Sequence, residues 1–211
     1  MGRATAKKLD EVQQIVVPKI EIAKMSIWLV GDTSLIVHRW SEKAKRQMLD
    51  KQMGRAAQKK PKKDPQKDFE ESLYKIPGGG YGFPSVGFKA AAVSACRFVE
   101  AIKMTEARGA FHVEGELLRV LGTPTPREDM VRVGMGVADI RYRAEFKEWL
   151  VEVPVRFNTR ALTAEQIINL FNTAGFGVGV GEWRPEKNGQ HGMFHVGDDT
   201  EVRRLLKKRG A

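Results

Sequence analysis

Cysteine is almost missing: Cys96 is the single one among 211 residues, so neither an internal disulfide nor a cysteine-built zinc site is available. It sits in the apolar run KAAAVSACRFVEAI and reads as a small core residue rather than a nucleophile. Long hydrophobic runs are missing too. Nowhere do eighteen apolar residues follow one another, and the N-terminus shows no secretory pattern, so a soluble, cytoplasmic protein is expected. Nucleotide-binding signatures fail as well. The glycines of GFGVGVG, residues 175–181, run G-x-G-x-G rather than G-x-G-x-x-G, and no glycine-lysine-serine or glycine-lysine-threonine follows. A helix reads before them and a strand after, which inverts the dinucleotide cradle. ATP and dinucleotides are thereby excluded, and no cofactor is expected.

Acidic residues are in deficit. The sequence has 36 Lys plus Arg against 26 Asp plus Glu, a formal net charge of +10. The excess is concentrated: Arg39 to Lys67 holds 11 basic and 3 acidic residues, and RRLLKKRG near the C-terminus adds a second basic cluster. Such a field suits a polyanion, whose counterions the cationic side chains displace. A solvated loop that only maintains solubility is the plainer alternative. A membrane is a poor partner, because the basic segment has little apolar face to insert.

The apolar pattern gives the order of elements. KIEIAKMSIWLV alternates as a strand, SLIVHRW continues in extended form, and SEKAKRQMLDKQMGRAAQ has helical composition with a possible N-cap at Ser41. Pro61 and Pro65 break that helix, which makes KKPKKDPQK the expected mobile segment. YKIPGGGYGFP then opens a helix over SVGFKAAAVSACRFVEAIKM, with Phe88, Ala91, Ala92, Ala95, Val99 and Ile102 near helical spacing. AFHVEGELLRVLG reads as one strand, 122–147 as a hairpin-like excursion, and WLVEVPVRFN as a strand whose Pro154 suggests an edge or a bulge. LTAEQIINLFNTAG is a helix with a capping box from Thr163 to Gln166 and a glycine stop at Gly175. The core order is strand, helix, strand, strand, helix, strand, an α+β, ferredoxin-like (RRM-like) βαββαβ arrangement. One such domain is expected over 15–200, with insertions at about 39–83 (basic, partly helical or mobile) and 122–147. The ends, 1–14 and 201–211, are expected to be flexible or peripheral. The topology alone names no function.

In a strand over 175–181, Gly175, Gly177, Gly179 and Gly181 would share one face while Phe176, Val178 and Val180 seal the core on the other. The bare row would let another backbone approach closely, whether a nucleic acid or a neighbouring subunit. A mobile glycine loop, or a strand bared for the protein's own helix, would give the same pattern.

VGDTSLIVHRW after the first strand, YKIPGGGYGFPSVGFKAAAVSACR leading into a helix and the late GFGVGVGEWRPEKNGQHGMFHV together resemble the landmarks of the CRISPR RAMP superfamily. The resemblance implies an RNA-binding, ferredoxin-like module of the backbone-subunit kind that polymerises along guide RNA. It places Pro77, Gly78, Gly79, Lys89 and Arg97 near RNA, with Gly175 to Gly181 as the glycine-rich loop before the last strand. A stand-alone relative carried by a bacteriophage, acting in its host's cytoplasm, fits equally. Some relatives cleave RNA with histidine, or with an aspartate after the first strand, where Asp32 stands in this chain.

The expected function is binding of single-stranded RNA or DNA without catalysis, with self-association along the strand into a filament or ring. No recognition helix for duplex is evident, and stacking needs unpaired bases. The candidate contacts are Arg39, Lys43, Lys45, Arg46, Lys59, Lys60, Lys62, Lys63, Lys89, Arg97, Arg156 and Arg184, together with Gly177 and Gly179. Trp40, Tyr81, Phe83 and Trp183 are available for stacking, with Tyr81 and Trp183 favoured by their glycine or charged flanks. Two alternatives stand. One is a metal-independent endoribonuclease using His38, His112 and Asp32; the other is a structural subunit of a phage or other nucleoprotein assembly. No metal site is expected, since His191 and His195, four apart, have no carboxylate close by in sequence.

Overall fold

A computed structural model describes residues 17–55, 62–133 and 136–210. Its organising pair is β1 (Ile22–Gly31) against β9 (Leu150–Asn158), antiparallel from Ile22↔Asn158 to Val30↔Leu150. On its other side β1 pairs with β10 (Phe194–Val196). Beyond β9 lie β5 (Phe111–Val113) and β6 (Leu117–Leu121), then β4 (Tyr81–Pro84) and β3 (Tyr74–Lys75). Alternation along β1 and β9 turns Ile27, Leu29, Val151, Val153, Val155 and Phe157 to one face, all buried. Onto that face pack α3 (Ser85–Ala95), through Phe88, Ala91, Ala92 and Ala95, and α5 (Ala164–Gly177), through Ile167, Leu170, Phe171 and Ala174. Fourth strand, first, third, second: this is the ferredoxin-like α+β order that the sequence predicts.

A second, three-stranded sheet is formed by β2 (Leu35–Val37), β7 (Pro124–Val133) and β8 (Val137–Phe146), with β8 in the middle. Between β2 and β3 come α1 (Glu42–Gln52), capped by the Ser41 hydroxyl, and α2 (Pro65–Ser72), capped by Asp64. Pro65 starts that helix instead of ending one, because the first turn needs no N–H from it. The expected mobile segment thus shrinks at its C-terminal side; Lys59, Lys60 and Pro61, like residues 1–14, lie outside the described residues.

Other expectations are corrected. The helix read over 85–104 stops at Ala95, continues as a 3-10 turn over Cys96–Phe98 and gives way to α4 (Met104–Ala110). The single strand read over 110–122 divides into β5 and β6. Pro154 lies in a central strand, not at an edge. Its carbonyl accepts from Glu114 N at 2.9 Å, so its missing donor faces the gap where β9 exchanges β5 for β6 as neighbour.

The glycine row forms no strand. Helix α5 runs through Gly175 and Gly177, the Ala174 carbonyl accepts from both Val178 N and Gly179 N, and Gly179 and Gly181 follow with φ of 67° and 77°. An added Cβ at Gly175 would overlap the Phe194 carbonyl of β10, one at Gly177 would meet the Phe98 ring at 2.9 Å, and one at Gly179 would meet Pro185 at 2.7 Å. The bare backbone is filled by the protein's own chain. Phe176, expected to seal the core, is 77 % exposed, while Val178 and Val180 are buried.

Within the end expected to be flexible or peripheral, the described residues form a helix. Helix α6 (Asp199–Arg209) is capped by Asp198, whose carboxylate accepts from Thr200 N and Glu201 N at 2.8 Å, and Gly210 closes it in the left-handed conformation. Its Val202 is buried, with Gly197 squeezed between Val30 and Val202. Replacing Gly175 by alanine is expected to destabilise the fold by about 1–3 kcal/mol, the usual cost of overpacking. A thermal melt followed by circular dichroism measures it, and a curve superimposable on wild type would remove the close-packing role of this glycine.

Candidate nucleic-acid interface

Beyond Val37 the chain leaves β2 through His38, Arg39 and Trp40 before Ser41 caps α1. Three adjoining depressions meet there. One of about 290 Å³ lies among α1, α2 and β8 and is lined by His38, Arg39, Ala44, Lys63 and Tyr142. A second, of about 250 Å³, separates the small side chains of Gly87, Ala90, Ala91 and Ser94 on α3 from the loop Val178–Glu182. A third, of about 810 Å³, is bounded by Arg39, Trp40, Lys45, Val86 and Leu117. His38 borders the first two, Arg39 the first and third, and Tyr74 the second and third, so the three adjoin one another, and together they make up the candidate groove.

Arg143 of β8 anchors it. The residue is 7 % exposed, and its guanidinium donates through Nη1 to Asp129 Oδ2 at 3.1 Å and through Nε to His38 Nδ1 at 3.3 Å. Its Nη2 lies 3.5 Å from Glu182, and its plane sits 6.0 Å from the centre of the Trp183 ring. Asp129 also accepts from Arg127, which bonds Glu145; Glu145 in turn accepts from the Ser34 hydroxyl. Arginine only donates, so His38 Nδ1 must be the acceptor and the ring proton rests on Nε2. Burial first, and then the Arg143 charge, pushes the His38 pKa below the ordinary histidine value, which keeps the ring neutral at pH 7.

Trp183 is held in an unusual backbone state. Its φ of 53° is left-handed, a conformation that costs a bulky residue about 1–3 kcal/mol. Glu182 N bonds Ile36 O at 2.9 Å, His191 N bonds Trp183 O at 3.0 Å, and Gly189 leaves no room for a Cβ against that same carbonyl. The ring is 41 % exposed. Trp40, at the far side of the groove, is 53 % exposed. By contrast Phe83 is buried against Phe88 and offers no face, while Tyr81, half-buried, packs edge-on against Phe146 and lines none of the three depressions.

The basic candidates divide. Arg39, Lys45, Lys63 and Arg184 line the groove, each with a carboxylate partner: Glu42 at 3.4 Å for Arg39 and 2.8 Å for Lys45, Asp139 for Lys63, and Glu186 at 2.9 Å for Arg184. Arg97 binds the same Glu186 at 2.6 Å, so Arg97 and Arg184 tie the glycine loop to the end of α3. Lys89 is elsewhere, donating to the Arg108 carbonyl beside His112, and Arg156 reaches Glu114 at 3.9 Å on the outer face of the main sheet. Arg46 and Lys62 are exposed and carry no ion pair among the described residues, while the side chain of Lys43, and Lys59 and Lys60 entirely, lie outside them. Gly177 packs against Phe98, as above, whereas Gly179 packs against Pro185 and also lines the second depression. Reading the sequence missed Arg143, Asp129, Tyr74 and Glu182. The signal for the first was charge at Asp139, Arg141, Arg143 and Glu145, alternate positions of one strand.

The three candidate catalytic residues do not meet. Asp32 follows Gly31, which bonds Trp149, while His112 pairs with Arg156, roughly 20 Å further along β9. His38 belongs to the groove. Asp32 instead bonds His195 Nδ1 at 2.6 Å, and Glu201 bonds His195 Nε2 at 2.9 Å, a clamp that joins β1, β10 and α6. Among the described residues no group of three His, Cys, Asp or Glu could hold a metal ion, and no helix is long and apolar enough to cross a membrane.

No protein-family model matches the chain, and no curated protein is similar to it. Among solved structures, the crystal structure of Cmr6 from Pyrococcus furiosus is similar over 85 % of this chain and 100 % of that chain, at 12 % identity and a TM-score of 0.43. Likeness that distant carries no argument about chemistry.

Burial is the largest single influence on His195 and lowers its pKa, but the bonds and charges of Glu201 and Asp32 together outweigh it and leave the value raised. A raised folded-state pKa stabilises fully below the unfolded value near 6.5 and is lost as pH rises through the folded one. The stability difference between wild type and His195→Gln is therefore expected to be larger at pH 6 than at pH 9. Melting temperatures across that range test it, and a difference constant with pH would refute the charged clamp.

Proposed function

We propose that this chain binds single-stranded nucleic acid, RNA or DNA, in the groove around His38, Arg39 and Tyr74, and does so without cleaving it. The observation that carries the reading is Trp183: a half-exposed indole held in a strained backbone conformation between Glu182 and Arg184, which line the second depression, with a buried arginine beside it. A core tryptophan needs no such arrangement. A base laid on an aromatic face gains about 1–3 kcal/mol, and every base has a face to offer. Arg39, Lys45 and Lys63 supply cations for phosphates along the same groove. The small side chains of α3 let a strand come close to its backbone.

Binding without cleavage is supported by the separation of His38, His112 and Asp32, and by the engagement of Asp32 with His195. Association of copies along the strand belongs to the same proposal, with the exposed rings of Phe98 and Phe176 as apolar surface for it.

Trp183→Ala is expected to weaken binding of a labelled oligo-dT or oligo-U by about 5- to 140-fold, the equivalent of one lost stack. Trp183→Phe should retain most of the affinity. Fluorescence anisotropy at low salt measures both, with circular dichroism to verify folding. Equal affinity for wild type and Trp183→Ala would sink the proposal.

A further inference from the structure

Helix α6 presents a second charged surface. Arg203, Arg204, Lys207 and Lys208 are all exposed and repeat at i, i+1, i+4 and i+5, so they share one side of the helix. Only Lys208 has an ion-pair partner among the described residues, Glu148 at 3.2 Å. Basic residues in a last turn commonly complement the helix dipole. That accounts for Lys207 and Lys208, but Arg203 and Arg204 stand in the middle of the helix.

The helix is pinned at both ends. Asp198 caps its start, Glu201 holds His195, Val202 is buried, and Arg209 donates to the Leu121 carbonyl at 2.6 Å. The charges are thus displayed at fixed spacing, about 6 Å along the helix axis from i to i+4.

A depression of about 640 Å³ connects this helix to the base of the hairpin, lined by Thr123, Thr125, Lys147, Glu148, Lys208 and Arg209. Thr125 pairs with Glu145, and Arg127 with Arg143, two positions along. Alternation puts Thr125, Arg127, Glu145 and Arg143 on one face of the three-stranded sheet. The depression therefore opens about 7 Å along the strand from the arginine that fixes Trp183. Inside it Arg209 Nε is buried with no partner.

We propose that the Arg203, Arg204 and Lys207 face of α6 is a second phosphate-contacting surface for the same nucleic-acid strand, approached by way of the depression at the base of the hairpin. This rests on the groove binding single-stranded nucleic acid. It adds that the footprint is two-part: stacking at Trp183 and phosphate neutralisation on α6.

The test compares wild type with the triple variant Arg203→Ala, Arg204→Ala, Lys207→Ala across a salt series, using oligonucleotides of about 4 and about 16 residues. For the long strand, three lost contacts should reduce the slope of log affinity against log salt by about 2, at roughly 0.7 per phosphate. The short strand, confined to the groove, should show the same slope with both proteins. A lysine-for-arginine variant at 203 and 204 should keep the wild-type slope, which separates charge from helix structure. An unchanged slope for the long strand, in a wild type that binds, overturns the second surface and leaves the groove standing. Failure of wild type to bind either strand overturns both. Loss in the triple variant of binding to phosphatidylserine vesicles, with oligonucleotide binding intact, would assign the face to a membrane instead and overturn the proposal.

Discussion

Arg143 brings a full positive charge to 7 % exposure at the seam between the hairpin sheet and the loop that follows α5. Withdrawing such a charge from water costs several kcal/mol unless it is paired and its donors are used. Asp129, 8 % exposed on the neighbouring strand, provides the countercharge, His38 accepts from Nε, and the Glu182 carboxylate lies 3.5 Å from Nη2. Because these partners come from β7, from the exit of β2 and from the glycine loop, the arginine is satisfied only when all three are in place. The charge thus specifies an arrangement that apolar packing alone would leave free to slide. The position of Trp183 and the shape of the groove both follow from it.

The glycines prepare the same arrangement from the other side. Gly175 lets the last turn of α5 touch the Phe194 backbone, and Gly179 and Gly181 turn the chain in conformations that side chains resist. Gly181 leaves no space for a Cβ against the Ile36 carbonyl, and the next amide, Glu182 N, bonds that carbonyl. The loop is thereby seated on β2, one residue before Trp183. Gly175 and Gly177 are filled by the protein's own chain, while Gly179 and Gly181 border the second depression. Together they let the chain fold close enough to itself to hold Trp183 in its left-handed conformation.

The order of the ferredoxin-like core was legible because β1, β9, α3 and α5 each carry a clean period of two or 3.6, and each buries the face that the period marks. The strand reading of 175–181 failed because glycine fits strand and helix end alike. The deciding signal was the run Ile167, Leu170, Phe171, Ala174 and Val178, whose helical spacing passes straight through the glycines. Helix α6 was missed for another reason: only Val202 is buried, so no apolar stripe marks it, although an Asp198 cap, an acidic first turn, a basic last turn and Gly210 spell out both ends. In the groove, Arg39, Trp40 and Trp183 were visible as charge and aromatics in a basic context. Arg143 and Asp129 were not, because a buried ion pair across two strands depends on a hairpin register that neither strand states alone.

Net charge was an incomplete guide for a related reason. The basic segment 39–67 supplies much of the excess, yet Arg39, Lys45 and Lys63 each face a carboxylate within the fold. Exposed pairs of this kind are worth little to stability, but they weaken the field that a phosphate would feel in the groove. Attraction there has to come from stacking and close approach as much as from charge. On α6 the balance is reversed: Arg203, Arg204 and Lys207 have no ion-pair partner among the described residues, and no aromatic ring stands among them. If the groove and α6 bind as proposed, two surfaces of opposite character, one sensitive to the faces of bases and one to the density of phosphates, divide between them what a strand of unspecified sequence has to offer. A strand long enough to touch both would be held by contacts that salt weakens and by contacts that salt leaves alone.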